Sequence, residues 1–316
     1  MPVNTMHTAS TLGLVGAKGG VGTTALACNL AWALAQRYQR VVLLDLDVRT
    51  GQAALHLCER NAGPTVHEAL QVIERLDSTL LDTLLTPCSP TLRLLPAPRN
   101  WWAWPEEPDR NAEGLLKLVR TASELADWVL VDLPKGAMTH EGLAPLMLHL
   151  QEVALVTEPT LPATFNARWA WQWLQEQRGP SRTHSLVLNK MHKACTVPGH
   201  QLRRTLGLGD DDTAWRELPR SDAAVAQASY QGQAVGALTP KDPWARGVSR
   251  WAAELAARGT AQLANTAEHT SEAVGPNTAS DEGPAGAAPT GQPASTLAPP
   301  LWGRRAWRER LMRWAT

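Results

Sequence analysis

The segment Gly16-Ala17-Lys18-Gly19-Gly20-Val21-Gly22-Thr23-Thr24 constrains this chain more than any other stretch, because of what flanks it. An apolar run at residues 12–15 leads in, and the helical pattern ALACNLAWALA follows at once. A glycine-rich turn between strand and helix lets backbone N–H groups approach a polyphosphate, and the helix N-terminus adds partial positive charge. The rest of the chain fits such a loop. From about residue 11 to about residue 257, short apolar runs alternate with helical patterns, which is the mark of βαβ units. Strands are expected at 12–15, 41–46, 92–95, 128–133, 153–157, 186–188 and 215–218, and helices at 24–36, 111–125 and 166–177. The strand runs are continuous in apolar character rather than alternating, as expected when helices cover both faces. The expected fold is α/β: a doubly wound, mostly parallel sheet with helices on both faces, of the P-loop NTPase kind.

Two departures from the ordinary G-x-x-x-x-G-K-[ST] pattern matter. Ala17 takes the place of the first glycine, and Thr23 occupies the slot of the phosphate-binding lysine. Thr24 sits where a hydroxyl would ligate Mg²⁺, and Lys18 is the one cation within the loop. The run Trp128-Val129-Leu130-Val131-Asp132-Leu133-Pro134 has the shape of a Walker B strand, with Asp132 placed to hold Mg²⁺ through water. The expected cofactors are therefore ATP and Mg²⁺.

Composition excludes more than it assigns. Lysine plus arginine and aspartate plus glutamate both count 30 in 316 residues, so there is no overall pull toward nucleic acid or membrane. The four cysteines, Cys28, Cys58, Cys88 and Cys195, form no C-x-x-C pair and read as buried reduced thiols rather than a metal or disulfide framework. The start, MPVNTMHTAS, has no apolar h-region, and nowhere do about 18 consecutive apolar residues occur, so a cytoplasmic location is expected. Tryptophan is abundant, 14 against one Phe and two Tyr, and such side chains chiefly fill cores. Trp101-Trp102-Ala103-Trp104 reads equally as a docking surface or a loop folded over the core.

The globular domain is expected to span residues 1–258. Residues 259–300 contain no Lys, Arg, Phe, Tyr or Trp and read as a disordered linker. Residues 301–316 carry five arginines and three tryptophans. On a helical wheel Trp307, Leu311 and Trp314 share one face and Arg305, Glu309, Arg310 and Arg313 lie largely opposite, with Arg304 and Arg308 at the flanks. A basic amphipathic helix of this kind suits an anionic membrane surface, with docking on a partner protein and an unstructured basic end as the alternatives.

With Lys18-Gly19-Gly20 and Thr23 in view, the chain resembles the ParA/MinD superfamily of deviant Walker A ATPases over residues 10–257. The resemblance implies that Lys18 reaches the nucleotide of a partner subunit across an ATP-dependent homodimer. It implies that Gly19, Gly20, Val21, Gly22, Thr23 and Thr24 cradle the nucleotide, that Asp47 orients the attacking water, and that Asp45 supports the outer shell of Mg²⁺. Asn189, at the end of the strand SLVLNK, matches the family's adenine-reading Asn-Lys/Arg, and Pro219 matches the loop that lines the base. The segments GAKGGVGTT, DLDVRTGQAALHL, LRLLPAP, DWVLVDLPKG, VALVTEPTLPATFNARWAWQWL and AVAQASYQGQAV are most similar to the CpaE/TadZ branch. That likeness implies an assembly factor of a Flp/Tad-type pilus or secretion system, at the inner membrane or a cell pole, with that machinery as its partners.

Two other readings compete. A ParA-type positioner would grip DNA through residues such as Lys190, Lys193, Arg203 and Arg204, which the zero net charge argues against. A nucleotide-gated scaffold would bind ATP and scarcely hydrolyse it, since removing a cation from the β/γ-phosphates commonly slows such steps about a hundredfold or more.

Overall fold

The computed structural model describes residues 9–58, 63–98, 111–179, 183–195, 197–208 and 215–272. In chain order it contains β1 (Ser10–Gly16), α1 (Thr23–Ala35), β2 (Val41–Asp45), α2 (Ala53–Leu57), α3 (Val66–Gln71), α4 (Ser78–Leu84), β3 (Thr86–Ser89), β4 (Leu92–Leu95) and α5 (Ala112–Leu125). There follow β5 (Trp128–Leu133), α6 (Leu143–His149), β6 (Glu152–Thr157), α7 (Leu161–Arg178), β7 (Thr183–Met191), α8 (Gly199–Thr205), β8 (Trp215–Pro219), α9 (Asp222–Tyr230), α10 (Val235–Leu238) and α11 (Pro243–Glu272). The strands form one sheet in the order β3-β4-β2-β5-β1-β6-β7-β8. All pairs are parallel except β3 with β4.

The strands alternate their side chains between two apolar cores, one on each face. Val42, Leu44, Val129 and Val131 pack with α3 to α8 through residues such as Val66, Leu115 and Leu202. Leu12, Leu14, Leu43 and Leu130 pack with α1, α2, α9, α10 and α11 through Leu26, Ala53, Ala228, Val235 and Trp244. Each fully buried Leu or Val contributes about 1.5–3 kcal/mol by leaving water, which is why every interior strand reads as an unbroken apolar run. The tryptophans largely follow the same rule. Trp128, Trp171, Trp215, Trp244 and Trp251 are all buried, whereas Trp169 is exposed. On α11, Trp244, Val248, Trp251, Ala252 and Leu255 make the stripe that seals one face.

The expected parallel strands are all present, and three features lie outside the sequence expectation. The edge strand β3 runs antiparallel over Thr-Pro-Cys-Ser, whose proline and polar residues give no apolar run. Helix α7 starts at Leu161 rather than near residue 166, with Pro162 in its first turn, where proline's missing N–H costs nothing. Helix α11 runs on to Glu272, past the boundary expected at 258, because Ala, Gln, Leu and Glu after Gly259 keep the sequence helix-compatible. The Trp101–Trp104 loop, the linker beyond Glu272 and residues 301–316 lie outside the described residues. The four cysteines are free thiols, with Cys28 buried and Cys58, Cys88 and Cys195 only partly so.

Candidate functional site

Parallel strands deliver their carboxyl ends to one edge of the sheet, and a doubly wound fold opens a crevice there. Here that edge gathers the loop after β1, Asp45 from β2, Asp132 from β5, Glu158 after β6, Asn189 and Lys190 from β7, and the segment after β8.

The loop is pinned at both ends. Ala17 N–H donates to the Val156 carbonyl at 2.8 Å, and the Val21 side chain is buried in the core. Gly20 and Gly22 take φ of 83° and 89°, left-handed values that a side chain would strain. A Cβ on Gly22 would also stand 2.8 Å from Asn189 Nδ2. Gly22 then caps α1, whose first-turn N–H groups face the loop. Thr23 Oγ1 lies 2.6 Å from where a Gly16 Cβ would sit, so its short side chain folds under the loop and brings no charge.

Two acids meet beneath Thr24. Asp45 and Asp132 are register partners on β2 and β5, and both are 1% exposed. Asp132 accepts a hydrogen bond from Thr24, while its Oδ2 is buried without a partner. Burial first, then the charge of Asp45, pushes the Asp132 carboxyl well above its usual range. Burial raises Asp45 to about 7, even though its oxygens accept the N–H groups of Ala53 at 3.0 Å and Asp47 at 3.3 Å. Two crowded carboxylates with an orphaned oxygen beside a threonine hydroxyl form a hard-oxygen donor set that fits Mg²⁺. Among the described residues no cluster of three or more His, Cys, Asp or Glu forms a protein-only metal cage. Sparse ligation suits Mg²⁺, which keeps several waters and completes its shell with phosphate oxygens.

Asp47 is held by Thr50, accepting from its N–H at 3.0 Å and its hydroxyl at 2.7 Å. Asn189 is buried and braced: Nδ2 donates to the Val21 carbonyl at 2.9 Å, and Oδ1 accepts from Trp244 Nε1 at 2.9 Å. It therefore couples the loop to α11 as well as bordering a cleft of about 220 Å³. Gly22, Lys190, Ser221, Asp222 and Trp244 border the same cleft. Pro219 ends β8 opposite Met191, and its loop reaches the cleft through Ser221 and Asp222. Trp244 was not signalled by any motif, because only α11 folding back beneath Asn189 brings it to the site.

Glu158 and two lysines complete the edge. Lys18 Nζ lies 2.8 Å from Glu158 Oε1 and 3.1 Å from the Gly19 carbonyl. Lys190 Nζ lies 3.6 Å from Glu158 Oε2 and 2.6 Å from the Gly20 carbonyl. Partial burial works upward on Glu158, but the hydrogen bond from Lys18 and the charges of Lys18 and Lys190 hold its carboxyl below the usual range. Of the residues proposed for DNA, Lys190 is thus engaged at the loop and Arg203 stacks over the Trp215 ring at 5.0 Å. No described helix is long and apolar enough to cross a membrane.

Comparison with known proteins agrees with this geometry. Residues 12–153 match the family model described as the CobQ/CobB/MinD/ParA nucleotide binding domain. Over 154 residues the chain is 32% identical to the septum site-determining protein MinD of Synechocystis, covering 48% of this chain and 53% of that protein. It is 29% identical over 160 residues to the antiactivator FleN of Pseudomonas aeruginosa, covering 50% and 54%. The chain thus spans about half the length of the curated relatives it matches. A ParA family ATPase from Chlorobium tepidum superposes with a TM-score of 0.69 at 25% identity, over 79% of this chain and 99% of that one. MinD from Pyrococcus horikoshii in complex with Mg-ADP shares the fold with a TM-score of 0.64 at 18% identity, over 78% and 96%. Over residues 12–153 the chain is thus similar to the CobQ/CobB/MinD/ParA nucleotide binding domain, and its loop, strand-end carboxylates and sheet order agree with that likeness.

Proposed function

We propose that this chain binds ATP with Mg²⁺, dimerises on doing so, and positions or helps assemble a larger cellular machine, with slow or absent hydrolysis. The observation that carries this reading is the glycine loop set over two buried carboxylates, one with an orphaned oxygen, and with Thr23 where a phosphate lysine would stand. Mg²⁺, when bound, would neutralise phosphate charge and tie the nucleotide to Thr24 and Asp132, with Asp45 in its outer shell. The backbone of residues 19–24 would hold the phosphates, and Asn189 and the loop after Pro219 would border the base. Lys18 would exchange Glu158 for the partner subunit's nucleotide. Asp47 would turn from Thr50 to the attacking water.

The finer proposal is a CpaE/TadZ-like factor of a Flp/Tad-type pilus or secretion system, supported by the sequence segments quoted above. The matched relatives named for septum-site determination support a localising role. The weak-ATPase and non-hydrolysing readings differ only in rate. Light scattering with and without Mg-ATP, beside steady-state phosphate release with Asp47→Ala as control, tests the proposal. ATP-dependent doubling of mass with little phosphate release supports it, and a mass indifferent to ATP refutes it.

A further inference from the structure

Three of the four thiols meet on one face of the sheet. Cys28 comes from α1, Cys58 ends α2 and Cys88 lies on the edge strand β3. Cys28 is buried in the core built on α1, and Cys58 and Cys88 pack against that same core from partly exposed positions. Among the described residues no group of three or more His, Cys, Asp or Glu is arranged to hold a metal ion, so the trio does not form a metal cage.

Two of these sulfurs are in direct contact. The Cys58 and Cys88 thiols share a hydrogen bond, although the chain between them passes through α3 and α4. That bond holds the Cys58 thiol below the usual thiol range against the upward push of its partial burial, and the same bond together with burial pushes Cys88 up. A sulfur with more thiolate character beside a protonated neighbour is an attacking thiol next to a resolving one. The backbone at both positions suits a small movement. Cys58 is extended, at φ −128° and ψ 148°, just past the end of a five-residue helix. Cys88 falls in the register shift between Pro87 and Ser89, where a bulge leaves it without a ladder partner and re-aims its side chain. Cys28 differs from both. Burial raises its thiol well above the usual range, and its Sγ rests 3.7 Å from the Ala53 carbonyl.

We propose that Cys58 and Cys88 form a peroxide-sensitive dithiol that closes reversibly into an intrachain disulfide. The Cys58 sulfur attacks a hydroperoxide, the O–O bond breaks, and Cys58 becomes a sulfenic acid while its proton leaves with the other oxygen as an alcohol or water. The Cys88 sulfur then attacks Cys58 Sγ, the S–O bond breaks, and the Cys88 proton leaves with the hydroxide as water. The two thiols lose two electrons, the peroxide gains them, and exchange with a small-molecule dithiol reverses the change. The site stands apart from the nucleotide reading, yet the bond reaches the segment that follows Asp47. At the other end of α2, Ala53 N–H donates to Asp45 Oδ2 at 3.0 Å, so oxidation pins that helix at both ends.

Peroxide titration of the reduced full chain tests this by thiol counting, peptide mass mapping and thermal unfolding. Two of the four thiols should be lost as one Cys58–Cys88 link within a single chain, and dithiothreitol should restore them. The oxidised chain should melt roughly 5–10 °C higher, since the link removes freedom from the unfolded state. Cys88→Ser should stop the reaction at a sulfenic acid on Cys58 that dimedone traps, whereas Cys58→Ser should leave Cys88 unlabelled. Cys195→Ser should change none of this. Full alkylation of Cys58 and Cys88 after peroxide, a link through Cys28 or between chains, or dimedone on Cys88 in the Cys58→Ser chain would overturn the assignment.

Discussion

Replacing Asp132 by asparagine should stabilise the protein in the absence of metal, even though it damages the site. Asp132 is 1% exposed, with one oxygen taken by Thr24 and Oδ2 lacking a partner, and Asp45 stands opposite it on the next strand. Asparagine keeps the shape and an acceptor for Thr24 while removing a buried charge. Asp45 sets the energy scale: a carboxyl moved from 3.8 to about 7 corresponds to about 4 kcal/mol once ionised. Relaxation and water entry reduce such figures, so a gain of about 2 kcal/mol is expected, or roughly 4–8 °C in melting temperature. A carboxyl raised in the folded state favours folding at low pH and loses that contribution as pH climbs through its folded value. The advantage of Asp132→Asn should therefore vanish below the ordinary carboxylate range and grow as pH climbs toward the raised folded value of Asp132. Thermal unfolding in EDTA at pH 8 and pH 5 measures both. A variant that melts below the parent at pH 8 would refute the account of these acids as a strained, cation-seeking pair.

Lys18→Ala should abolish ATP-driven dimerisation, since Lys18 is the one cation within the loop; unchanged mass in light scattering would exclude that role. Thr23→Lys alone should speed phosphate release by restoring charge under the β/γ-phosphates, and equal or lower turnover would count against it. Asn189→Ala removes the bridge between the Val21 carbonyl and Trp244 and should cost about 1–3 kcal/mol by urea unfolding, with no change expected only if that bridge is idle. Deleting residues 301–316 should end flotation with anionic liposomes while leaving nucleotide binding intact; persistent flotation would assign membrane contact elsewhere.

What the sequence revealed follows from which forces act locally. Interior strands such as Val41–Asp45 and Trp128–Leu133 are buried on both faces and so declare themselves as apolar runs. The β3 edge, with Pro87 and little to bury, declares nothing. The loop from Gly16 to Thr24 is contiguous and legible. Asp45 and Asp132 were legible as strand-end acids, but their crowding is a fact of β2 pairing with β5. Glu158 and Trp244 escaped assignment because their roles depend on β6 and α11 converging on the loop from distant parts of the chain.

The most direct test of the account is calorimetric titration of the full chain with ATP, with and without Mg²⁺, beside Gly22→Val. Valine at Gly22 opposes a φ of 89° and drives Cβ into Asn189 Nδ2, a lesion confined to the loop. The account predicts saturable ATP binding by the parent, strengthened by Mg²⁺ and lost in a folded Gly22→Val. Absence of binding by the parent, or equal binding by both chains, would contradict it.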